Sequence, residues 1–311
     1  MPFTAKSGKF NASINTVEFG TGDKAVKIGG ENVFPLYSFD AAIENAPKVG
    51  IEITDFGMEH EPECIKKYYE GCATLADMAR KAASMEGVDF LSFRMEGGDP
   101  NGANKSTEEL IGELKEIADA VDLPLVVCGC KNVEKDAELF SKAAEALNGK
   151  NAVILSAKEE NYKTVGAAAG LAYKQVVGAE SAVDINLAKQ LNVLISQLGV
   201  DSKSVVMNVG TAAVGYGFEY VISTMDRVKA AALQQGDANL QMPIITPVAS
   251  EAWGVKEAMA SETDAPEWGS QEERGIDMEV ETAMAVIAAG SNAVILKHPE
   301  SIKTISGLMK E

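Results

Sequence analysis

Two histidines, four cysteines and a scatter of carboxylates are the residues of this 311-residue chain with the types needed for metal, redox or acid/base chemistry. Cys64 and Cys72 have seven residues between them, and Cys128 and Cys130 have one. Neither spacing fits the CxxCxxC run of a ferredoxin-type cluster. Cys64 and Cys72 share a predicted helix with Tyr68 and Leu75, which reads as core. Cys128-Gly129-Cys130 ends a predicted strand, where packing and a metal role both stay open. His60 lies in the charged helix entry Met58–Pro62, and His298 stands before Pro299 as a helix-capping residue. Histidines so far apart argue against a His-rich zinc site. Asp55, Glu96, Asp99, Glu180 and Glu251 follow apolar runs, where a carboxylate pair would do general acid/base work. Acidic residues abound in this chain, so most of these read as solvated surface. Gly102-Ala103-Asn104-Lys105-Ser106 only superficially hints at a phosphate-binding loop and lacks the full motif.

Such residues act only where elements hold them. From about residue 49, short apolar runs alternate with stretches of helical period. Eight strands are predicted: Val49–Ile53, Val88–Phe93, Leu125–Cys128, Ala152–Leu155, Gln175–Val177, Ser204–Asn208, Pro243–Thr246 and Ala293–Leu296. They are continuous apolar runs, as in parallel strands buried on both faces. Between them lie helical stripes such as Leu110, Leu114, Ile117 and Val121, with Ser106 and Glu109 as a capping box. Eight strand–helix units predict an α/β fold, a (β/α)8 TIM barrel over residues 47–311. A doubly wound open sheet is the alternative, but no glycine-rich dinucleotide turn follows the first strand. Residues 1–46 read as an N-terminal cap or arm, too small for a domain of its own, carrying a β-hairpin, Ile14–Phe19 and Ala25–Ile28, joined by Gly20-Thr21-Gly22-Asp23. The long segment Ala249–Ala289 holds an extra loop or helix.

Charge narrows the function classes. Lys and Arg number 28 against 46 Asp and Glu, a formal net charge of −18. That excludes a general nucleic-acid binder and a protein docked on an anionic membrane surface. The longest apolar run, Ala283–Ala289, is far short of a membrane span. Met1–Phe10 lacks an apolar targeting core, so a cytoplasmic location is expected.

A barrel gathers function at the C-terminal ends of its strands. There the chain places Gly97, Gly98 and Asn101 after the second strand and Ser250 after the seventh. After the sixth come Asn208, Gly210, Thr211, Ala212 and Ala213, then Gly215, Tyr216 and Gly217. This last loop is small and almost uncharged. It suits either the face of a large planar ligand or a tight turn before the next helix.

The segment Ala25–Tyr37, with its Gly29-Gly30-Glu31 phrase, resembles the opening of the small subunit of the corrinoid iron–sulfur protein of the acetyl-CoA (Wood–Ljungdahl) pathway. Val49-Gly50-Ile51-Glu52, Gly97-Gly98-Asp99-Pro100 and Asn208-Val209-Gly210 carry the same resemblance, which runs the length of the chain. It implies a TIM barrel in a heterodimer with a large corrinoid iron–sulfur subunit. In such a pair the large subunit holds the [4Fe–4S] cluster and the cobalamin, and the barrel's mouth covers the corrin at the interface. The missing Asp-x-His motif for a lower cobalt ligand agrees, since Met58 and Leu296 precede His60 and His298 by two residues. The methyl group would travel from methyltetrahydrofolate, through a separate methyltransferase, to CO dehydrogenase/acetyl-CoA synthase. This chain would bring no catalytic residue and no metal ligand. The mouth residues above are then the expected corrin contacts. The alternative is a pterin-dependent methyltransferase with the same barrel, in which Asn208 and Asp55 would hold the pterin. A further alternative is an unrelated barrel enzyme using the carboxylates.

Overall fold

The computed structural model describes residues 8–310; the start of the predicted arm, residues 1–7, lies outside them. Ten strands are defined among the described residues. A hairpin, β1 (Val17–Phe19) and β2 (Val26–Ile28), precedes β3 (Lys48–Thr54), β4 (Phe90–Arg94), β5 (Leu125–Cys128) and β6 (Val153–Ala157). Then come β7 (Val176–Glu180), β8 (Val205–Asn208), β9 (Ile244–Pro247) and β10 (Ser291–Leu296). The last eight close into a parallel barrel in chain order, β10 pairing with β3 through Val294 opposite Val49 and Leu296 opposite Ile51. This is the predicted TIM barrel.

Alternation along each strand sorts side chains into two layers. Phe90, Val126, Val153, Val176, Val206, Ile245 and Ile295 fill the barrel interior. Their neighbours Leu91, Val127, Ile154, Val177, Ile244 and Leu296 pack outward under the helices. Gly50 is required because a Cβ there would lie 2.1 Å from the Phe90 ring. The helices are capped as their sequences direct. Ser106 Oγ accepts the Glu109 N–H at 3.1 Å, which is the Ser106 half of the predicted capping box.

Of the two readings, cap and arm, the hairpin is a cap. Val17, Phe19, Val26 and Ile28 join the barrel-interior cluster, and the Phe19 ring meets Phe90 edge-on at 5.5 Å. Gly20 N–H donates to Asn151 O and Asn15 N–H to Gln241 O, just before β6 and β9. The hairpin therefore closes the N-terminal end of the barrel. Gly29 and Gly30 take φ of +81° and +93°, open to glycine, and turn the chain so that Glu31 enters the protein. There its Oε1 accepts from Lys229 Nζ at 2.8 Å and from Asn292 Nδ2 at 2.9 Å, all three residues buried. Burial pushes the Glu31 carboxyl up, but Lys229 and Asn292 outweigh it and hold the carboxyl below its ordinary range. The segment 249–289 holds short helices at Ala249–Ala252 and Lys256–Met259, then the long helix Gln271–Ala289. Among the described residues no helix is long and apolar enough to cross a membrane.

Candidate functional site

The C-terminal face of the barrel is half covered and half open. The covered half is built around His298, which is fully buried. Its Nδ1 accepts the Glu300 N–H at 3.1 Å, the expected helix cap. Its ring stacks on Trp253 at 5.8 Å and 14° and meets the edge of Tyr68. Glu272 reaches Nε2 at 3.4 Å and bonds Lys67 Nζ through both oxygens. Burial, more than Glu272 can offset, lowers the imidazole to about 4. Glu279, buried beside it, accepts the N–H groups of Lys297 and His298, and burial raises its carboxyl. His60 lies apart, its ring 4.6 Å from Phe56.

The open half is a cavity of about 460 Å³ over the ends of β4 to β9. Arg94 lies in its floor, where Nε and Nη2 bond Glu52 Oε2 at 3.0 and 2.7 Å. Burial works against the guanidinium charge, and Glu52 more than restores it. Beside them Cys128 Sγ lies 3.5 Å from Ser92 Oγ, and burial pushes its thiol up to about 11 against the pull of Arg94. On the far wall Asn208 donates to Ser156 Oγ at 3.1 Å and accepts the Gly210 N–H at 3.1 Å. Two ion pairs stand higher: Lys158–Glu180 at 3.2 Å and Lys131–Glu251 at 3.1 Å. All three cations lining the cavity thus have a carboxylate partner.

The rim is apolar and strained. Val183, Tyr216 and Tyr220 are exposed there. Ala182 and Val183 have φ of +43° and +59°, a conformation that costs on the order of 1–3 kcal/mol per residue and that a β-branched side chain rarely adopts. The strained turn is braced by Val183 N–H donating to Val209 O and Thr224 Oγ1 donating to Val183 O. Tyr216 OH bonds Glu257 at 2.5 Å and pins the glycine-rich loop to the segment after β9.

Of the twelve expected corrin contacts, seven line this cavity: Asn208, Gly210, Thr211, Ala212, Tyr216, Gly217 and Ser250. Five do not. Ala213 is buried in the layer under the helices, and Gly215 sits on the outer side of its loop with open space around it. Gly97 and Gly98 are both buried: at Gly97 Asp55 occupies the space a side chain would need, and a Cβ on Gly98 would lie 3.0 Å from Leu139 and 3.1 Å from Leu110. Asp55 accepts the Gly97 N–H at 2.9 and 3.1 Å, and a Gly97 Cβ would lie 2.2 Å from Asp55 Oδ2. Asn101 is an exposed turn residue bonded to Asp99 Oδ1. Sequence reading missed Ser156, Lys158 and Lys131. The first two sit where β6 runs on past its apolar core, and the signal was the skipped mouth position after the fourth barrel strand. Cys128-Gly129-Cys130 also resolves. A Cβ on Gly129 would lie 2.2 Å from Asp136 Oδ1, and Asp136 accepts Cys130 N–H at 2.7 Å and its thiol at 3.2 Å. The glycine makes room for that carboxylate, and the two sulfurs serve different sites. No group of three or more metal-ligating side chains is found among the described residues.

Comparison with known proteins adds to this geometry. The family described as CO dehydrogenase/acetyl-CoA synthase delta subunit matches residues 16–305. Subunit delta 1 of the acetyl-CoA decarbonylase/synthase complex of Methanosarcina thermophila is 30% identical over 293 residues, covering 92% of this chain. The chain spans 66% of that relative, just under two thirds of its length. The delta subunit of Methanocaldococcus jannaschii is 31% identical over 310 residues, covering 97% of this chain and 75% of that protein. Among solved structures, a dihydropteroate synthase of Thermus thermophilus superposes with a TM-score of 0.56 at 12% identity, over 94% of this chain and 98% of that one. A Xanthomonas albilineans dihydropteroate synthase gives 0.55 at 12%, over 95% and 97%. At such identity these two share the barrel fold and nothing finer.

Proposed function

Because the chain belongs to the CO dehydrogenase/acetyl-CoA synthase delta-subunit family, we propose that it is the non-catalytic small subunit of a heterodimeric corrinoid iron–sulfur methyl carrier, working in the cytoplasm. Its larger partner would hold the cobalamin and the [4Fe–4S] cluster. A methyltransferase would deliver the methyl group from methyltetrahydrofolate, and acetyl-CoA synthase would receive it. Bound cobalamin supplies the methyl-accepting and methyl-donating chemistry. The residues of this chain shelter, orient and exclude water.

The observation that carries this reading is the make-up of the open half of the mouth. A smooth loop with Gly210, Thr211 and Ala212 faces a cavity whose cations are all compensated. An anionic ligand finds no unpaired cation among the residues lining it, whereas a neutral, amide-rimmed ring fits. Val183, Tyr216 and Tyr220 offer apolar contact at the edge. No histidine lines the cavity, and Cys128 is held as a thiol, so the chain offers cobalt neither an imidazole nor a thiolate here. The pterin alternative loses one of its two residues. Asp55 is buried, taken by Gly97 N–H and paired with Lys105 Nζ at 3.1 Å, and does not line the cavity.

Native mass spectrometry of the protein purified anaerobically tests the proposal. The expected species contains this 32.9 kDa chain, a larger subunit, one corrinoid and one [4Fe–4S] cluster. A lone chain or homodimer without cobalt, binding methyltetrahydrofolate by itself, overturns it in favour of the pterin enzyme.

A further inference from the structure

Two ion pairs at the mouth do little for the fold. Lys131 and Glu251 have side chains 65% and 37% exposed, and Lys158 and Glu180 are 29% and 25% exposed. Pairs this open to water add little stability. Each nonetheless joins different parts of the barrel. Lys131 follows β5 and Glu251 follows β9; Lys158 follows β6 and Glu180 ends β7. Lys131 also keeps a φ of +69°, uncommon for a residue with a side chain. All four residues line the cavity.

A lysine held beside a carboxylate shows a ligand N–H donors next to acceptor oxygens. A primary carboxamide is the complement, with a carbonyl oxygen to accept and an NH2 to donate. A carboxylate at the same place only accepts: it can share a lysine that the glutamate already holds, but it gives the glutamate's oxygens no donor and meets them as a like charge. Arg94 cannot answer that charge, because Glu52 already holds it in the buried floor. The rim of a cobalamin ring carries primary carboxamides. We propose that Lys131–Glu251 and Lys158–Glu180 are carboxamide-docking sites that select a fully amidated corrinoid over forms with a free carboxylate. This rests on the corrinoid reading above and names what the chain recognises on that ligand.

The test uses the full chain co-purified with its corrinoid-binding partner. The complex is stripped and reloaded with cyanocobalamin or with its b-, d- or e-monocarboxylic acid. Retention through gel filtration is read from the corrin absorbance. At least one monoacid should be retained about tenfold less than cyanocobalamin, the size of effect expected from one charge-assisted bond lost. Glu180→Gln or Glu251→Gln should recover most of that loss, since the isosteric amide no longer repels the acid. Equal retention of cyanocobalamin and all monoacids overturns the docking sites and leaves the corrinoid reading standing. Discrimination that neither glutamine variant relieves also overturns them, placing selection on the partner. Failure of the complex to retain cyanocobalamin at all sinks both.

Discussion

Cys128 Sγ faces the mouth, yet burial pushes its thiol to about 11, and Cys130, hydrogen-bonded to Asp136, is pushed to about 12 by burial first. Both are therefore thiols at neutral pH, not thiolate nucleophiles. Iodoacetamide should leave both unmodified in the folded protein and label both in urea, as read by peptide mass spectrometry; labelling of Cys128 in the native state would mean an activated cavity thiol. His298 makes the pH dependence of stability legible at one residue. Burial lowers its imidazole from 6.5 to about 4, so the unfolded chain takes up the proton first. Its contribution is whole above pH 6.5 and is lost as pH falls toward 4, by at most about 3 kcal/mol. His298→Asn keeps an acceptor for the Glu300 N–H and removes the titration. Urea midpoints of wild type and variant should converge over that window as pH falls. A difference that stays constant with pH would remove His298 from the acid response. Glu279, raised by burial, titrates in both proteins and largely drops out of the comparison.

At the scale of elements, the floor of the barrel is the feature with the largest energetic consequence. Phe19→Ala removes the edge-on contact with Phe90 and a buried ring, at a cost of about 3–5 kcal/mol. Chemical denaturation should show that loss in one transition shared with the barrel; a loss under ~1 kcal/mol would mean that the hairpin and barrel are not one cooperative unit. All eight barrel strands and the hairpin were legible in the sequence, because buried parallel strands write themselves as Val- and Ile-rich runs. The C-terminal ends of β5, β8 and β10 were legible too, at Cys128, Asn208 and Leu296, but those of β6 and β7 were not. β6 runs on through Ser156 and Ala157, and β7 through Gly178 to Glu180, where small and polar side chains meet the mouth and break the apolar run. The residues that end a strand's hydrophobic signal are the ones that begin the site. The Gly97-Gly98 loop misled for a related reason. Glycine marks close approach, but sequence does not tell whether a ligand or a buried carboxylate such as Asp55 makes it.

For the molecule as a whole, the strand count pointed to the end of the barrel where the candidate site's cavity lies, but not to the division of that end into a covered and an open half. The division depends on contacts between residues far apart in sequence, such as Lys67 with Glu272, 205 positions on, and His298 on Trp253. No local pattern encodes those pairings. The net charge of −18 leaves a surface that repels other acidic chains except where pairs such as Lys131–Glu251 neutralise it, so the mouth is a nearly neutral patch on an anionic body. The closed floor bears on how the chain comes off the ribosome. Val17, Phe19, Val26 and Ile28 are made before every barrel strand, but their partners include β10, and Glu31 meets Asn292 only after 261 further residues. Throughout synthesis these apolar side chains have no finished surface to occupy. A segment made before the barrel is sealed in only once the barrel's last strand exists, and a long wait with exposed hydrophobic surface is the condition under which nascent chains need a chaperone.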